Sequence, residues 1–141
     1  MISALSTPHN RKTTLILLAI CGLLAIAAAT VGIDDNLPGV LLAFLAATAF
    51  VLAFVHPWRT AKQFMFLLLA SVLGLVLYII LNIILDTAAQ SPATAGALQA
   101  LLQGPVVDAV SIIIAMLCAA AFMVGAVGSV AMFIRNRRRT T

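Results

Sequence analysis

Glutamate does not occur in this chain, and its four acidic residues are all aspartates. Small multidrug transporters depend on a glutamate inside the membrane, so its absence argues against an ion-coupled transporter of that type. The centres of the long apolar stretches also carry no charged side chain. Ionisable groups at such depth are the usual sign of a proton relay or an ion pathway, and the sequence offers none there.

Cysteine and histidine are equally scarce, with two of each. Cys21 and Cys118 form no Cys-x-x-Cys motif, which counts against a quinone-linked thiol oxidoreductase. His9 and His56 lie outside the apolar stretches and cannot ligate a haem within the membrane. We expect no cofactor, no metal and no catalytic residue, so the protein is predicted not to be an enzyme. The cysteines are expected at similar depths, about 12 to 18 Å from a membrane face, as inert thiols that can meet only if their helices adjoin.

Charged residues make up only 9% of the chain and hydrophobic residues 64%, with a mean hydropathy of +1.20. A soluble domain has about 25% charged residues and uses them to cover its surface. Four apolar stretches each approach or exceed the roughly 20 residues that cross a membrane, and backbone in lipid must satisfy its own hydrogen bonds. We therefore predict an all-α protein with one integral membrane domain over residues 1–141. The expected spans are 13–33, 38–55, 63–85 and 107–134, followed by a basic tail at 135–141.

The positions of the cations predict the orientation. Every lysine and arginine falls on one side of the four predicted spans, and every aspartate falls on the other. Cytoplasmic segments carry an excess of Lys and Arg. We predict an antiparallel, up-down bundle of four transmembrane helices in the inner or plasma membrane, with the N-terminus and the C-terminus both cytoplasmic. The cations are Arg11, Lys12, Arg59, Lys62, Arg135, Arg137, Arg138 and Arg139, and the acids are Asp34, Asp35, Asp86 and Asp108.

The N-terminal stretch allows a second interpretation, and the C-terminal cations have a role of their own. A basic start, an apolar stretch and small residues at 27–29 also fit a secretory signal peptide over residues 1–29, but the apolar stretch continues to Ile33 and is long enough to span. The basic tail is expected to anchor the last span and to gain about 1 kcal/mol per cation from anionic lipid headgroups. The cations thus follow from topology, and no nucleic-acid partner is predicted.

A basic segment joins the second and third spans. Pro57 disfavours helical geometry at His56 and should end the second helix, while Trp58 suits the aromatic belt at the membrane interface. Thr60 stands three residues before Gln63, the spacing of a capping box that starts the third helix. The alternative is a site that uses the histidine and the arginine of this turn to bind an anion or polar ligand. The turn and anchor residues are His56, Pro57, Trp58, Arg59 and Lys62.

The aspartates are expected at the opposite end, in two connections. In the first, Asn36 or Asp35 is expected to cap the second helix, with Pro38 in its first turn. The second, residues 86–105, is alanine-rich and predicts a short interfacial helix between Ser91-Pro92 and Gly104, the alternative being a flexible loop. If the helix ends meet, the acids form a cation-attracting vestibule; otherwise they are caps and solvated loop ends. This predicted cluster consists of Asp34, Asp35, Asp86 and Asp108, with Tyr78, Asn82 and Gln103 on the same side.

Small residues at four-residue spacing let membrane helices approach closely. They recur in the second, third and fourth spans, and we expect them to pack the four helices against one another. The alternative is contact with another copy of the chain through the fourth span, or with another membrane protein. These residues are Gly39, Ala43, Ala47, Ala70, Gly74, Ala121, Gly125, Gly128 and Ser129.

Two segments, GIDDNLPG at 32–39 and FVHPWRTAKQF at 54–64, separated by one apolar span, resemble a motif of small, uncharacterised multi-pass membrane proteins of prokaryotes. The resemblance covers the first three spans and implies a four-helix integral membrane protein of the inner membrane. It implies no activity and no site residue. The leading expectation is a non-enzymatic structural or accessory component of a membrane complex, and the alternative is an oligomeric channel or facilitator with an acidic outer vestibule.

Overall fold

A computed structural model describes residues 8–33, 36–90, 96 and 104–137. Each of its four helices is long and apolar enough to cross a membrane. The prediction of an all-helical chain with four helices able to span a membrane is confirmed. In chain order the helices are α1 (Pro8–Val31), α2 (Leu37–Val55), α3 (Ala61–Ala89) and α4 (Pro105–Arg137).

Some predicted features lie outside the described residues. They include the short helix expected within 86–105, although α3 itself extends into that segment and ends at Ala89. The individual residues concerned are Asp34, Asp35, Gln103, Arg138 and Arg139.

The helices extend beyond the predicted spans at several ends. α1 begins at Pro8 rather than at residue 13, and α4 ends at Arg137 rather than at residue 134. Hydropathy marks the apolar part of a helix, whereas backbone hydrogen bonding continues through polar residues at the ends. Pro8 fits the first helical position because its missing N–H would have no partner there in any case.

The end of α2 creates a polar contact with α1. In a continuing helix the carbonyl of Ala53 would accept the N–H of residue 57, but Pro57 has none. That carbonyl instead accepts the hydroxyl of Thr14 at 3.2 Å, and Nδ1 of His56 lies 3.1 Å from it. Thr14 is 1% exposed and Ala53 is fully buried. α2 ends at Val55, just before the proline, as predicted, but His56 keeps helical angles (φ −54°, ψ −30°) instead of the non-helical geometry expected there. The missing N–H of Pro57, and not the conformation of His56, frees the acceptor that links α1 to α2.

The start of α3 is held by the residues expected there. The side-chain oxygen of Gln63 accepts the backbone N–H of Thr60 at 3.4 Å and the hydroxyl of Thr60 at 2.9 Å. The Gln63 half of the predicted capping box is thus present. The ring of Trp58 meets the ring of Phe64 edge to face, with centroids 5.6 Å apart, which packs the turn against the first helical turn of α3.

The link between α1 and α2 differs from the prediction in one detail. Asn36 occupies the N-cap position of α2, but it makes no side-chain cap. Its side-chain amide donates to the carbonyl of Val31 at 3.1 Å and so ties the link to the end of α1. Gly32 has a φ of 88°, and its carbonyl lies where a side chain at Gly39 would project. The link therefore lies directly on the first turn of α2, at a position where only glycine fits.

Three helix pairs carry the packing: α1 with α2, α3 with α4, and α2 with α4. In the most apolar window of each helix, 39% of the residues of α2 are buried, against 11% in each of the other three. The buried face of α2 is mostly alanine, at Ala46, Ala47, Ala49 and Ala53. α2 is thus the central helix, and the other three expose long apolar faces of the kind that lipid covers.

Glycines allow α3 and α4 to approach each other. A Cβ atom at Gly125 would lie 2.9 Å from the backbone nitrogen of Leu68, and one at Gly128 would overlap the ring of Phe64. One at Gly74 would touch Sγ of Cys118 at 3.4 Å. The fourth-span glycines predicted to pack within the chain therefore do so.

Candidate functional site

A cavity of about 560 Å³ lies where the end of α3 meets the beginning of α4. Positions 78, 82 and 86 are four residues apart, which places them along one face of α3. The volume falls within the range of about 300–1,000 Å³ that small-molecule sites occupy. The lining of this polar cavity consists of Tyr78, Asn82, Leu85, Asp86, Val107, Asp108, Ser111 and Ile112.

The polar side chains are graded by depth. Asp86 and Asp108 are exposed, whereas Tyr78, Asn82 and Ser111 are half-buried. Eight residues of helix separate Tyr78 from Asp86, or about 12 Å at 1.5 Å per residue. The side-chain amide of Asn82 donates to the carbonyl of Tyr78 at 2.9 Å, which leaves its amide oxygen as an acceptor. The cavity therefore has carboxylates at its mouth and neutral polar groups deeper inside.

The charge of the polar cavity is not balanced by its own lining. No lysine or arginine lines it. Asp108 stands in the first turn of α4, where the helix dipole stabilises a carboxylate, and Asp86 stands in the last turn of α3, where it does not. The arrangement suits a positively charged ligand. Of the four acids predicted to cluster, these two share a cavity, and the other two lie outside the described residues.

Beyond its deepest residues the polar cavity gives way to close helix packing. The Gly74–Cys118 and Gly125–Leu68 contacts follow along the same helix pair. Tight contact of this kind leaves no room for a water-filled path between α3 and α4.

A second, apolar cleft of about 450 Å³ lies between α1, α2 and α4. Ala25, Phe50 and Ile113 in its wall are exposed, so the cleft is open to the surroundings of the helices. The lining residues on α1 run from Cys21 to Ala28, a length of about 10 Å along a helix, and Ile33 adds to the wall from the link after α1. The rest of the lining is Ala28, Ala43, Ala46, Ala47, Ile112, Met116 and Leu117.

One residue lines both cavities. Ile112 lines the polar cavity and the apolar cleft, and it is half-buried. Asp108 and Ser111 beside it face the polar cavity, whereas Met116 and Leu117 face the cleft.

The positions of Tyr78, Asn82, Asp86 and Asp108 relative to the spans predict them on this side, but Ser111 was missed because it lies inside the fourth predicted span. The cleft was missed as well, because a groove between apolar helices leaves no compositional signal.

The two cysteines belong to different interfaces. Cys21 lines the apolar cleft, and Cys118 lies against Gly74 in the α3–α4 interface. Both are free thiols. Their similar depth in the predicted spans does not bring them together, because neighbouring residues such as Leu117 and Cys118 point about 100° apart on a helix.

The basic turn between α2 and α3 lines neither of the two cavities. His56 caps the end of α2, and its Nε2 atom is buried without a hydrogen-bond partner among the described residues. Arg59 is exposed, and its backbone N–H donates to Gln63 at 3.3 Å. Neither described cavity includes the histidine or the arginine in its lining. At the end of α4, the guanidinium of Arg137 lies 5.3 Å from the ring centre of Phe133.

Within the described ranges, no three His, Cys, Asp or Glu side chains come together in a way that would hold a metal ion. Comparisons of the chain with protein-family models, curated proteins and solved structures found no match. The resemblance to small prokaryotic membrane proteins therefore stays a prediction. What the protein does has to be inferred from its own cavities and surfaces.

Proposed function

We propose that this chain is a non-enzymatic, four-pass membrane protein that serves as an accessory component by packing against a second copy or another membrane protein. The observation that carries the proposal is an unoccupied glycine face on α1. Apart from the surrounding turns of α1 itself, no described residue lies within 4 Å of a Cβ atom placed at Gly22, whereas Gly125 and Gly128 are closed by Leu68 and Phe64 of α3. Ala19, Ile26 and Ala29 share the exposed face of Gly22.

This face moves the proposed contact from the fourth helix to the first. In lipid, helices gain little from hydrophobic burial, and close approach at small residues is what favours association. The glycines of α4 are already used inside the chain, so they are poor candidates for a second contact. A flat face centred on Gly22 fits the backbone of another helix.

The accompanying topology is antiparallel, with both termini in the cytoplasm of a cell bounded by an inner or plasma membrane. Two observations support it. Pairs of contacting residues on α3 and α4 run in opposite order along the two helices, from Phe64 with Gly128 to Gly74 with Cys118. The cations fall at the start of α1, in the turn before α3 and at the end of α4, which is the pattern of cytoplasmic segments.

Labelling with a membrane-impermeant maleimide on intact cells tests this topology. Single cysteines at Thr60 and at Asn36, in a chain with Cys21→Ala and Cys118→Ala, report the two sides. We expect labelling at position 36 only. Labelling at position 60 with none at position 36 would reverse the orientation.

Association is tested by crosslinking in native membranes. We expect Gly22→Leu to abolish a specific crosslinked species, because the larger side chain keeps the partner backbone away. Ala119→Leu is the control, since it places the same side chain at an exposed small residue of α4. A solitary monomer in the unaltered chain, or equal loss in both variants, would refute the proposal.

The polar cavity favours a second candidate, an oligomeric channel or facilitator that concentrates cations at Asp86 and Asp108. The close α3–α4 packing below the cavity argues that any pathway must run between subunits. Cation flux into liposomes, compared with a variant in which all four aspartates become asparagine, tests it. Flux that the variant reduces supports this candidate, and no flux from either protein removes it.

A further inference from the structure

We infer that the polar cavity and the apolar cleft together bind a single-chain amphiphile with an ammonium head, drawn from the surrounding bilayer. The head lies between Asp86 and Asp108, and the alkyl chain passes Ile112 into the cleft between α1, α2 and α4. This inference does not depend on the assembly or the channel proposed above. It concerns one chain and its own two cavities.

The chemistry of the head follows from the polar cavity. Two carboxylates line it, and no lysine or arginine does. The amide oxygen of Asn82 and the hydroxyl of Ser111 add acceptors for the N–H groups of an ammonium ion. The ring of Tyr78 offers a face that attracts cations. An anionic head would meet two like charges here, and a neutral head would leave both carboxylates without a partner.

The chemistry of the tail follows from the cleft. Its lining has no charged residue, and its only heteroatom-bearing side chains are the sulfur-containing Cys21 and Met116. Sulfur side chains of this kind behave as polarisable apolar groups. The cleft extends about 10 Å along α1, from Cys21 to Ala28, and its exposed wall residues make it accessible from lipid. A hydrated metal ion or a small amine would fill only the polar cavity, and the cleft would stay unoccupied.

Ile112 provides the continuity between head and tail. It is the one residue of the described chain that lines both cavities. One turn along α4 the lining changes from carboxylate and hydroxyl to aliphatic and thioether. The order of polar and apolar lining along α4 matches an amphiphile with its head at the membrane interface and its alkyl chain directed into the membrane.

The test uses the full chain in nanodiscs of neutral phosphatidylcholine and a photoreactive alkylammonium. The probe carries a diazirine at the end of an extended chain of about 10 Å, the length of the cleft along α1 from Cys21 to Ala28. Two companion molecules complete the set: an alkyl sulfate with the same chain and diazirine, and butylammonium as a competitor without a tail. Mass spectrometry then locates the adducts.

We expect the alkylammonium to label the cleft, at residues such as Cys21 and Met116, and the alkyl sulfate to label it much less. Butylammonium should compete weakly. Asp86→Asn combined with Asp108→Asn should lower labelling about tenfold, because two partly screened ion contacts contribute on the order of 1.4 kcal/mol. Ala47→Phe should lower labelling by filling the cleft, and Ala119→Phe is its matched control.

Three results would overturn the inference. They are equal labelling by the sulfate and the ammonium, full competition by butylammonium, and unchanged labelling in the charge-neutralised chain. The first two comparisons use the unaltered protein, so they stand even if a variant folds poorly. A disulfide between Cys118 and a cysteine introduced by Gly74→Cys reports intact α3–α4 packing in each variant.

Discussion

The two consecutive helix pairs of this protein are held together by different forces. α3 and α4 approach through Gly125 and Gly128, so that side chains of one helix lie directly on the backbone of the other. α1 and α2 meet through alanines, one glycine and a hydrogen bond from Thr14 to the carbonyl of Ala53. The α3–α4 pair depends on dispersion at close range, and the α1–α2 pair adds an interhelical hydrogen bond.

This difference teaches how a membrane protein tolerates cavities. Close glycine packing leaves no gap between α3 and α4 below the polar cavity. The polar link between α1 and α2 lies at one end of the pair, near Pro57, and the apolar cleft opens further along the same two helices. The pair is held at both ends, by this hydrogen bond and by the close approach of Gly32 to Gly39, and the cleft opens between them.

The sharpest test of this contrast is Gly125→Val. The added carbons have no space beside the backbone of Leu68, and overpacking costs about 1 to 3 kcal/mol. The free energy of unfolding, measured in detergent micelles by circular dichroism, should fall by that amount. Gly22→Val is the control, because no described residue outside the neighbouring turns of α1 lies within 4 Å of its Cβ position. Equal losses in both variants would show that glycine acts through helix propensity and not through packing.

A smaller effect is expected when the polar link is removed. Thr14→Val keeps the shape of the side chain and loses the hydroxyl that reaches Ala53. Interhelical hydrogen bonds in membranes contribute about 1 kcal/mol, so the free energy of unfolding should fall by that order. Thr48→Val serves as the comparison, since the hydroxyl of Thr48 bonds to Phe44 within its own helix. A larger loss at Thr48 would contradict an interhelical role for Thr14.

A double-mutant cycle tests whether Pro57 is the reason that the carbonyl of Ala53 is free to accept the Thr14 hydroxyl. Pro57→Ala supplies an N–H that competes with Thr14 for the carbonyl of Ala53. The loss caused by Thr14→Val should then shrink, with a coupling free energy of about 0.5 kcal/mol or more between the two sites. Strict additivity in unfolding measurements would mean that the proline does not free the acceptor.

No change at all is expected from oxidising the natural cysteines. Cys21 and Cys118 face different interfaces, so iodine treatment in membranes should leave the unaltered chain without an internal disulfide. Gly74→Cys in a Cys21→Ala chain is the positive comparison, because its Cβ would lie 3.4 Å from Sγ of Cys118. A disulfide between Cys21 and Cys118, seen by mass spectrometry, would mean that α1 and α4 pack differently.

Several local features were predictable because they depend on neighbours in the chain. Pro57 ends α2, Thr60 and Gln63 start α3, and the glycines of α4 pack inward, as their spacing indicates. Asn36 shows the limit of such rules. A residue of the right type stands at the N-cap position, but its side chain turns to the carbonyl of Val31, because the close approach of two helices offered a nearer acceptor.

Composition and hydropathy were sufficient for four apolar helices, because a backbone in lipid has few alternatives to a helix. They did not predict which helices pack together or which faces they use. The pairing of α2 with α4, the separation of the two cysteines and the meeting of a polar and an apolar cavity at Ile112 arise from how the helices rotate and tilt against one another. Apolar helices have many faces of nearly equal hydropathy, so the choice among them comes from shape and from a few hydrogen bonds between distant parts of the chain.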